Sequence, residues 1–224
     1  MRLLEYPDRA RLMQALASRL ADELRDFLRA GPGRVSLSVP GGSTPGPVFD
    51  RLAHTDLDWS RVTVLPNDER WVHRDSPRSN GRLLRERLLR GKAAAAQLVD
   101  LVTDDPTPED GIAAIAAAVA PHMPLSLLLL GMGADMHTAS LFPGGDGLAA
   151  ALAPDAPPVM AIRAPGAEEP RLSLTAPVLR GAASVHLLIT GDDKRAALQR
   201  AAGLPPDQAP VACVLERATV HWAA

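Results

Sequence analysis

The stretch SLLLLGMGADMHTASLFPG, residues 126–144, decides how the chain is read. Ser126 to Leu130 is an apolar run without alternation, as expected of a central parallel strand covered on both faces. It feeds a glycine-bearing loop that carries Asp135 and His137. In open α/β sheets, loops at the carboxyl ends of strands are where ligands bind.

The same grammar of strand, loop and helix recurs on either side. Upstream, Val35 to Val39 reads as a strand, PGGSTPGP from Pro40 as a tight loop, and the segment through Val48 and Leu52 as a helix. Val62 to Leu65 is a second strand, NDERWVHRDSPRSN from Asn67 a long polar loop, and Ser79 to Leu89 a helix. Leu12, Leu16, Leu20, Leu24, Phe27 and Leu28 recur at steps of three or four, which predicts an amphipathic helix from Asp8 to Ala30, ended by Gly31 to Gly33. Downstream, strands are expected at Val159 to Ile162 and Val185 to Thr190, the second followed by GDDK and a helix from Arg195 to Ala202. Ala218 to Trp222 reads as an edge strand, and Ala149 to Pro158 as an Ala/Pro connector without assigned chemistry. Strands alternating with helices imply one α/β domain over residues 1–224, a mostly parallel sheet flanked by helices with right-handed crossovers.

Composition narrows the function. The chain has 224 residues, 46% apolar and 22% charged, enough for a single sizeable core. Its net charge is −2 with basic and acidic residues interspersed, which argues against a nucleic-acid partner. Aromatic residues make up 3%, too few for base stacking or an interfacial membrane belt. Cys213 is the only cysteine, so no intrachain disulfide forms, and a reducing compartment fits. The N-terminus breaks its apolar residues with charges and Pro7, and no 18-residue apolar span occurs, so the expected location is the cytoplasm, away from membranes. No obligate protein partner is evident.

Three motifs carry chemistry, each with a plainer reading beside it. Gly41, Gly42, Ser43, Thr44 and Pro45 follow a strand and open a helix, where backbone N–H groups, hydroxyls and the helix dipole favour an anion. The plainer reading is a helix cap, with Thr44 at the N-cap and Pro45 at the first helical position. Asp68, Glu69 and Arg70 end another strand; they are a solvated ion-pair cluster or a rim that offers Arg70 to an oxyanion or phosphate. His137 is one of six histidines. Its loop, two residues after Asp135, suits proton transfer near neutral pH as well as a structural imidazole. GMGADMH is not a dinucleotide fingerprint, because Met136 stands where that motif needs glycine, and no P-loop, zincin or nucleophile-elbow pattern appears.

Taken together, GGSTP from Gly41, NDERWV from Asn67, SPRSN from Ser76, GMGADMHTASLFPG from Gly131, PRLSLT from Pro170 and TGDDK from Thr190 resemble the 6-phosphogluconolactonase family, in order and over nearly the whole chain. The resemblance implies a Rossmann-like three-layer fold shared with glucosamine-6-phosphate deaminases and ribose-5-phosphate isomerases. It also implies hydrolysis of 6-phosphoglucono-1,5-lactone in the oxidative pentose phosphate pathway, with no metal and no cofactor. By similarity, Gly41, Gly42, Ser43 and Thr44 hold the phosphate with Arg171 and Lys194, and His137 is the base that activates water. Arg70 or N–H groups of the Gly131 to Gly133 loop stabilise the oxyanion; Asp135 orients the imidazole or caps backbone; Asp68 binds sugar hydroxyls. Where relatives usually read AspGlyHis this chain has Asp135, Met136, His137, and it has Pro40 where they often place serine. Two rivals share the architecture, a glucosamine-6-phosphate deaminase and a non-catalytic sugar-phosphate sensor. Deaminases resemble DGHIAFNEP at the histidine, and Phe142 stands here at their glutamate.

Overall fold

Leu127, Leu128, Leu129 and Leu130 are fully buried, and they alternate between two cores: Leu128 and Leu130 pack into one, Leu127 and Leu129 into the other. That is the reason a continuous apolar run is needed there, since side chains of a strand point to opposite faces in turn.

The computed structural model describes all 224 residues. The first half contains β1 (Arg2–Glu5), α1 (Arg9–Ala30), β2 (Val35–Val39), α2 (Gly46–Leu52), β3 (Val62–Pro66), β4 (Asp68–Arg70), α3 (Asn80–Arg87), β5 (Gln97–Leu98) and α4 (Pro108–Val119). The second contains β6 (Leu127–Gly131), α5 (Leu148–Leu152), β7 (Val159–Ile162), β8 (Arg171–Leu174), α6 (Ala176–Gly181), β9 (Ser184–Thr190), α7 (Asp192–Ala201), α8 (Ala212–Leu215) and β10 (Thr219–Ala223). Seven strands form one parallel sheet in the order β1-β10-β9-β6-β2-β3-β5. Residues of α1, α2 and α3 pack with one core, and residues of α4, α6, α7 and α8 with the other, giving three layers. No helix is long and apolar enough to cross a membrane.

Several expectations need correction. Thr219–Ala223 is not an edge strand: it lies between β1 and β9, because the short Arg2–Glu5 segment, unrecognised in the sequence, pairs outside it. Val159–Ile162 does not join the parallel sheet but belongs to a second, antiparallel one, ordered β4-β8-β7. The segment from Asn67 is not a solvated loop at its start, since Asp68–Arg70 is a strand of that small sheet and Asn67, Asp68 and Glu69 are buried. The helix after GDDK starts at Asp192 instead of Arg195, and α5 occupies the start of the Ala/Pro connector.

Asn67 is the joint between the sheets. Its backbone N–H donates to Val39 and its carbonyl accepts from Leu174 N, while its side chain accepts from Ser38 Oγ at 2.7 Å and donates to the Leu129 carbonyl at 2.8 Å. One amide therefore ties β2, β6 and the small sheet together where the chain leaves β3. The chain passes from β2 to β3 on one side and from β6 to β9 on the other. A crevice opens at that reversal, outside the carboxyl ends of the strands.

Candidate active site

The crevice is a cleft of about 280 Å³ lined by the ends of four neighbouring strands: Pro40, Gly41, Gly42 and Thr44 after β2, Asp68 and Arg70 after β3, Gly131, Gly133 and His137 after β6, and Thr190 and Lys194 after β9. Arg171 and Asn80 complete the wall. Nearly all the residues expected at a site thus converge, with two exceptions. Ser43 is exposed and does not line the cleft, and Asp135 stands behind His137.

At the β2 end, the capping reading of Thr44 and Pro45 fails. Pro45 itself occupies the cap position of α2, and no side chain caps the helix. The loop is shaped by a close approach: a Cβ on Gly41 would lie 1.9 Å from Asn80 Oδ1. Only glycine lets α3 press this near the loop. Asn80, whose Nδ2 donates to the Asp68 carbonyl at 2.7 Å, went unrecognised, although it ends the SPRSN block.

The Asp68–Arg70 cluster is not a solvated ion pair. Glu69 is fully buried, and its carboxylate accepts from Arg70 N (2.9 Å), Asn80 N (2.7 Å), Gly81 N (2.7 Å) and Ser79 Oγ (2.9 Å). Burial nonetheless pushes its carboxyl above the usual range, against those four donors. Asp68 accepts from Ser140 Oγ and lies 3.9 Å from Arg171. Arg70 and Arg171 stand directly opposite each other on β4 and β8, a like-charge pairing that a sheet does not favour by itself. The Nε atoms of both are buried without a partner, and Arg70 Nη1 donates to the Arg78 carbonyl at 2.6 Å. Burial lowers the Arg171 pKa, with Asp68 opposing and Arg70 adding to the fall. Lys194, in the first turn of α7, has no carboxylate partner, whereas Lys92 pairs with Asp56. The wall is therefore cationic.

At the β6 end, His137 Nδ1 lies 2.6 Å from Asp135 Oδ1, which also accepts the His137 backbone N–H at 3.2 Å. Burial acts to raise the Asp135 carboxyl, but the His137 charge and these hydrogen bonds outweigh it and hold it below the ordinary value. A carboxylate on Nδ1 fixes the tautomer that leaves Nε2 for the cleft. Gly133 N–H is not free for an oxyanion, because it donates to the His137 carbonyl at 3.0 Å. Phe142 stacks on the imidazole, with ring centroids 4.2 Å apart and planes inclined at 28°.

The family model for glucosamine-6-phosphate isomerases/6-phosphogluconolactonase matches residues 7–222. A 6-phosphogluconolactonase of Rhizobium meliloti is 41% identical over 220 residues, covering 93% of this chain and 94% of that protein. One from Pseudomonas aeruginosa is 38% identical, covering 93% and 89%. The solved structure of a 6-phosphogluconolactonase from Shewanella baltica superposes with a TM-score of 0.94 at 30% identity, covering 100% and 98%. A monomeric glucosamine-6-phosphate deaminase shares the fold, with a TM-score of 0.83 at 17% identity. By sequence and by fold, over nearly its whole length, the chain belongs to the glucosamine-6-phosphate isomerase/6-phosphogluconolactonase family.

Proposed function

We propose that the protein is a 6-phosphogluconolactonase, hydrolysing 6-phosphoglucono-1,5-lactone to 6-phosphogluconate in the oxidative pentose phosphate pathway, with His137 as general base. The observation that carries the reading is the His137–Asp135 pair opening onto a cleft walled by Arg70, Arg171 and Lys194. A lone buried cysteine without a disulfide partner supports a cytoplasmic setting for the same enzyme.

In this mechanism Nδ1–H of His137 donates to Asp135, and Nε2 takes a proton from water as the water oxygen bonds to C1. Negative charge moves to the carbonyl oxygen, where Arg70 answers it; one well-placed donor of this kind contributes about 3–4 kcal/mol. As the tetrahedral intermediate collapses, the bond from C1 to the ring oxygen breaks and His137 returns its proton to that oxygen. The phosphate occupies the Gly41, Gly42 and Thr44 end with Lys194 and Arg171, and Asp68 accepts from sugar hydroxyls. Arg171 reaches both regions, since it faces Arg70 across the small sheet. Asp135 orients the base and stabilises the imidazolium that forms.

Phe142 argues against the deaminase reading, because a phenyl ring lies on the histidine and cannot move a proton. The test is loss of freshly generated lactone measured above its spontaneous hydrolysis. His137→Ala is expected to remove most of the excess, and Lys194→Ala to act mainly on KM. Background kinetics with the intact protein, or ammonia release from glucosamine 6-phosphate, would overturn the reading.

A further inference from the structure

The base proposed above is poorly held by burial. The His137 side chain is 30% exposed and that of Asp135 53%. One hydrogen bond to a rim carboxylate is the only polar restraint on the ring's rotation about Cβ–Cγ, and a change in that rotation would turn Nε2 away from the cleft. Gly133 lets the ring settle against backbone: a Cβ there would come within 2.1 Å of Nδ1. What restrains the ring's face is Phe142, stacked at 4.2 Å.

The turn that follows the histidine delivers that phenyl ring. Thr138 Oγ1 donates to the Gly131 carbonyl at 2.8 Å, and Leu141 N donates to the Thr138 carbonyl at 3.0 Å, so the chain folds back within four residues. Ala139 supports the turn at φ +49°. Beyond it, Gly145 N–H donates to the Phe142 carbonyl at 2.9 Å, fixing the residue's own backbone. The guanidinium of Arg171 lies over the same ring, its central carbon 5.3 Å from the centroid. Phe142 is thus placed from both sides of its sequence and by a cation.

We propose that Phe142 is a positioning residue of the reaction: its face holds the His137 imidazole so that Nε2 points at the water, and favours the ring further once it is charged, because a cation over an aromatic face is attracted to it. The inference rests on His137 being the base. Its role is confined to the proton-transfer step, so it belongs to kcat.

Three variants and one spectrum test this. Phe142→Leu keeps an apolar side chain but removes the flat face; kcat is expected to fall roughly tenfold to a hundredfold, the scale of a misplaced catalytic group, with KM nearly unchanged. Phe142→Tyr retains the face and most of the rate. In the histidine region of the proton NMR spectrum, His137 ring signals, identified by their loss in His137→Ala, are expected upfield through the ring current and move downfield in Phe142→Leu but not in Phe142→Tyr. Should Phe142→Leu fail to fold, Phe142→Met makes the same comparison. Wild-type kcat in the flat-face deletion, a loss lying wholly in KM, equal losses in Leu and Tyr variants, or unshifted His137 signals would each overturn the proposal. If His137→Ala itself keeps the excess rate, the base assignment fails instead.

Discussion

Met136 carries φ +68°, in the left-handed region where a side chain costs on the order of 1–2 kcal/mol. The glycine that relatives usually place here would avoid that cost. Methionine is held because its N–H donates to the Gly133 carbonyl at 3.0 Å, its carbonyl accepts from Val211 N at 3.1 Å, and its side chain packs against the larger core. Packing therefore offsets the backbone conformation, and His137 stays in place. Gly133 is the residue that cannot change. A Cβ there would stand 2.1 Å from His137 Nδ1 and 2.2 Å from Asp135 Oδ1, so Gly133→Ala must displace the His137–Asp135 pair. Since both side chains are partly exposed, they move at little cost to the fold. We expect kcat to drop by about 10²-fold, the penalty of a displacement near 1 Å, while the melting temperature changes little. Lactonase kinetics and a thermal melt on the same sample check it, and an unchanged kcat would show that the pair has room to spare. At this scale the meeting of Asp135 and His137 at the cleft was legible, because a glycine-bearing loop at the carboxyl end of a central strand carries both, while their roles stayed open between proton transfer and structure. The Phe142 stack was not, since it depends on the left-handed turn at Ala139.

Among the elements, β4 decides the site's cationic wall, and the sequence concealed it. NDER is as polar as a loop, and three residues carry too little pattern to reveal a strand. Its burial comes from long-range partners, namely Leu172 and Ser173 across the small sheet and the start of α3. Glu69 makes the second connection. It accepts the free N–H groups of Asn80 and Gly81 at the amino end of α3, while Ser79 caps the helix by accepting from Arg82 N. A helix end needs such acceptors, and a carboxylate there also meets the positive end of the dipole. Glu69→Gln would turn an NH₂ group either toward Arg70 N and Asn80 N or toward Gly81 N and Ser79 Oγ, so a backbone donor loses its acceptor in either orientation. We expect a loss of about 1–3 kcal/mol in stability, the usual cost of a buried group left without its partner. A urea titration reads that loss, and kcat/KM should fall with it, because Arg70 and Asn80 leave their positions in the cleft. Stability within about 0.5 kcal/mol of the parent would remove Glu69 from this role. Other elements were legible for the opposite reason: α1 shows its burial as local periodicity, β6 as an unbroken apolar run, and β2 and β9 hold enough β-branched and leucine residues before a turn to read as strands.

Over the whole molecule, the face of the sheet covered by α1 contains a polar chain with no place in the reaction. Glu23 Oε2 of α1 lies 3.0 Å from His186 Nε2 and 2.6 Å from Ser184 Oγ. His186 Nδ1 lies 3.0 Å from His221 Nε2, and His221 Nδ1 lies 2.8 Å from the Tyr6 hydroxyl. One proton per link satisfies every ring nitrogen of the chain, tying α1 to β9, β10 and the end of β1. Burial, reinforced by His186 and Arg19, pushes His221 down to about 3, and Tyr6 is pushed up by its own burial. Burial would raise Glu23, but hydrogen bonds from His186 and Ser184 and nearby positive charge bring it down to about 2. Both groups act with the same sign. Between about pH 6.5 and 3 the unfolded chain protonates His221 before the folded one does, so stability falls as pH falls through that window. Below about 4.5 Glu23 adds its share, lost as pH descends toward 2. The His221 shift corresponds to about 5 kcal/mol at most. Urea midpoints measured at pH 7.5, 5.5 and 4.5 should therefore decline, the fall between 7.5 and 5.5 lying above the range in which ordinary carboxylates titrate. His221→Phe keeps an aromatic ring but cannot take up the proton. It is expected to be less stable at pH 7.5, where the bonds to Tyr6 and His186 are lost, yet to show a flatter decline between pH 6.5 and 4.5. A decline as steep as the parent's would mean that acid sensitivity arises elsewhere in the fold.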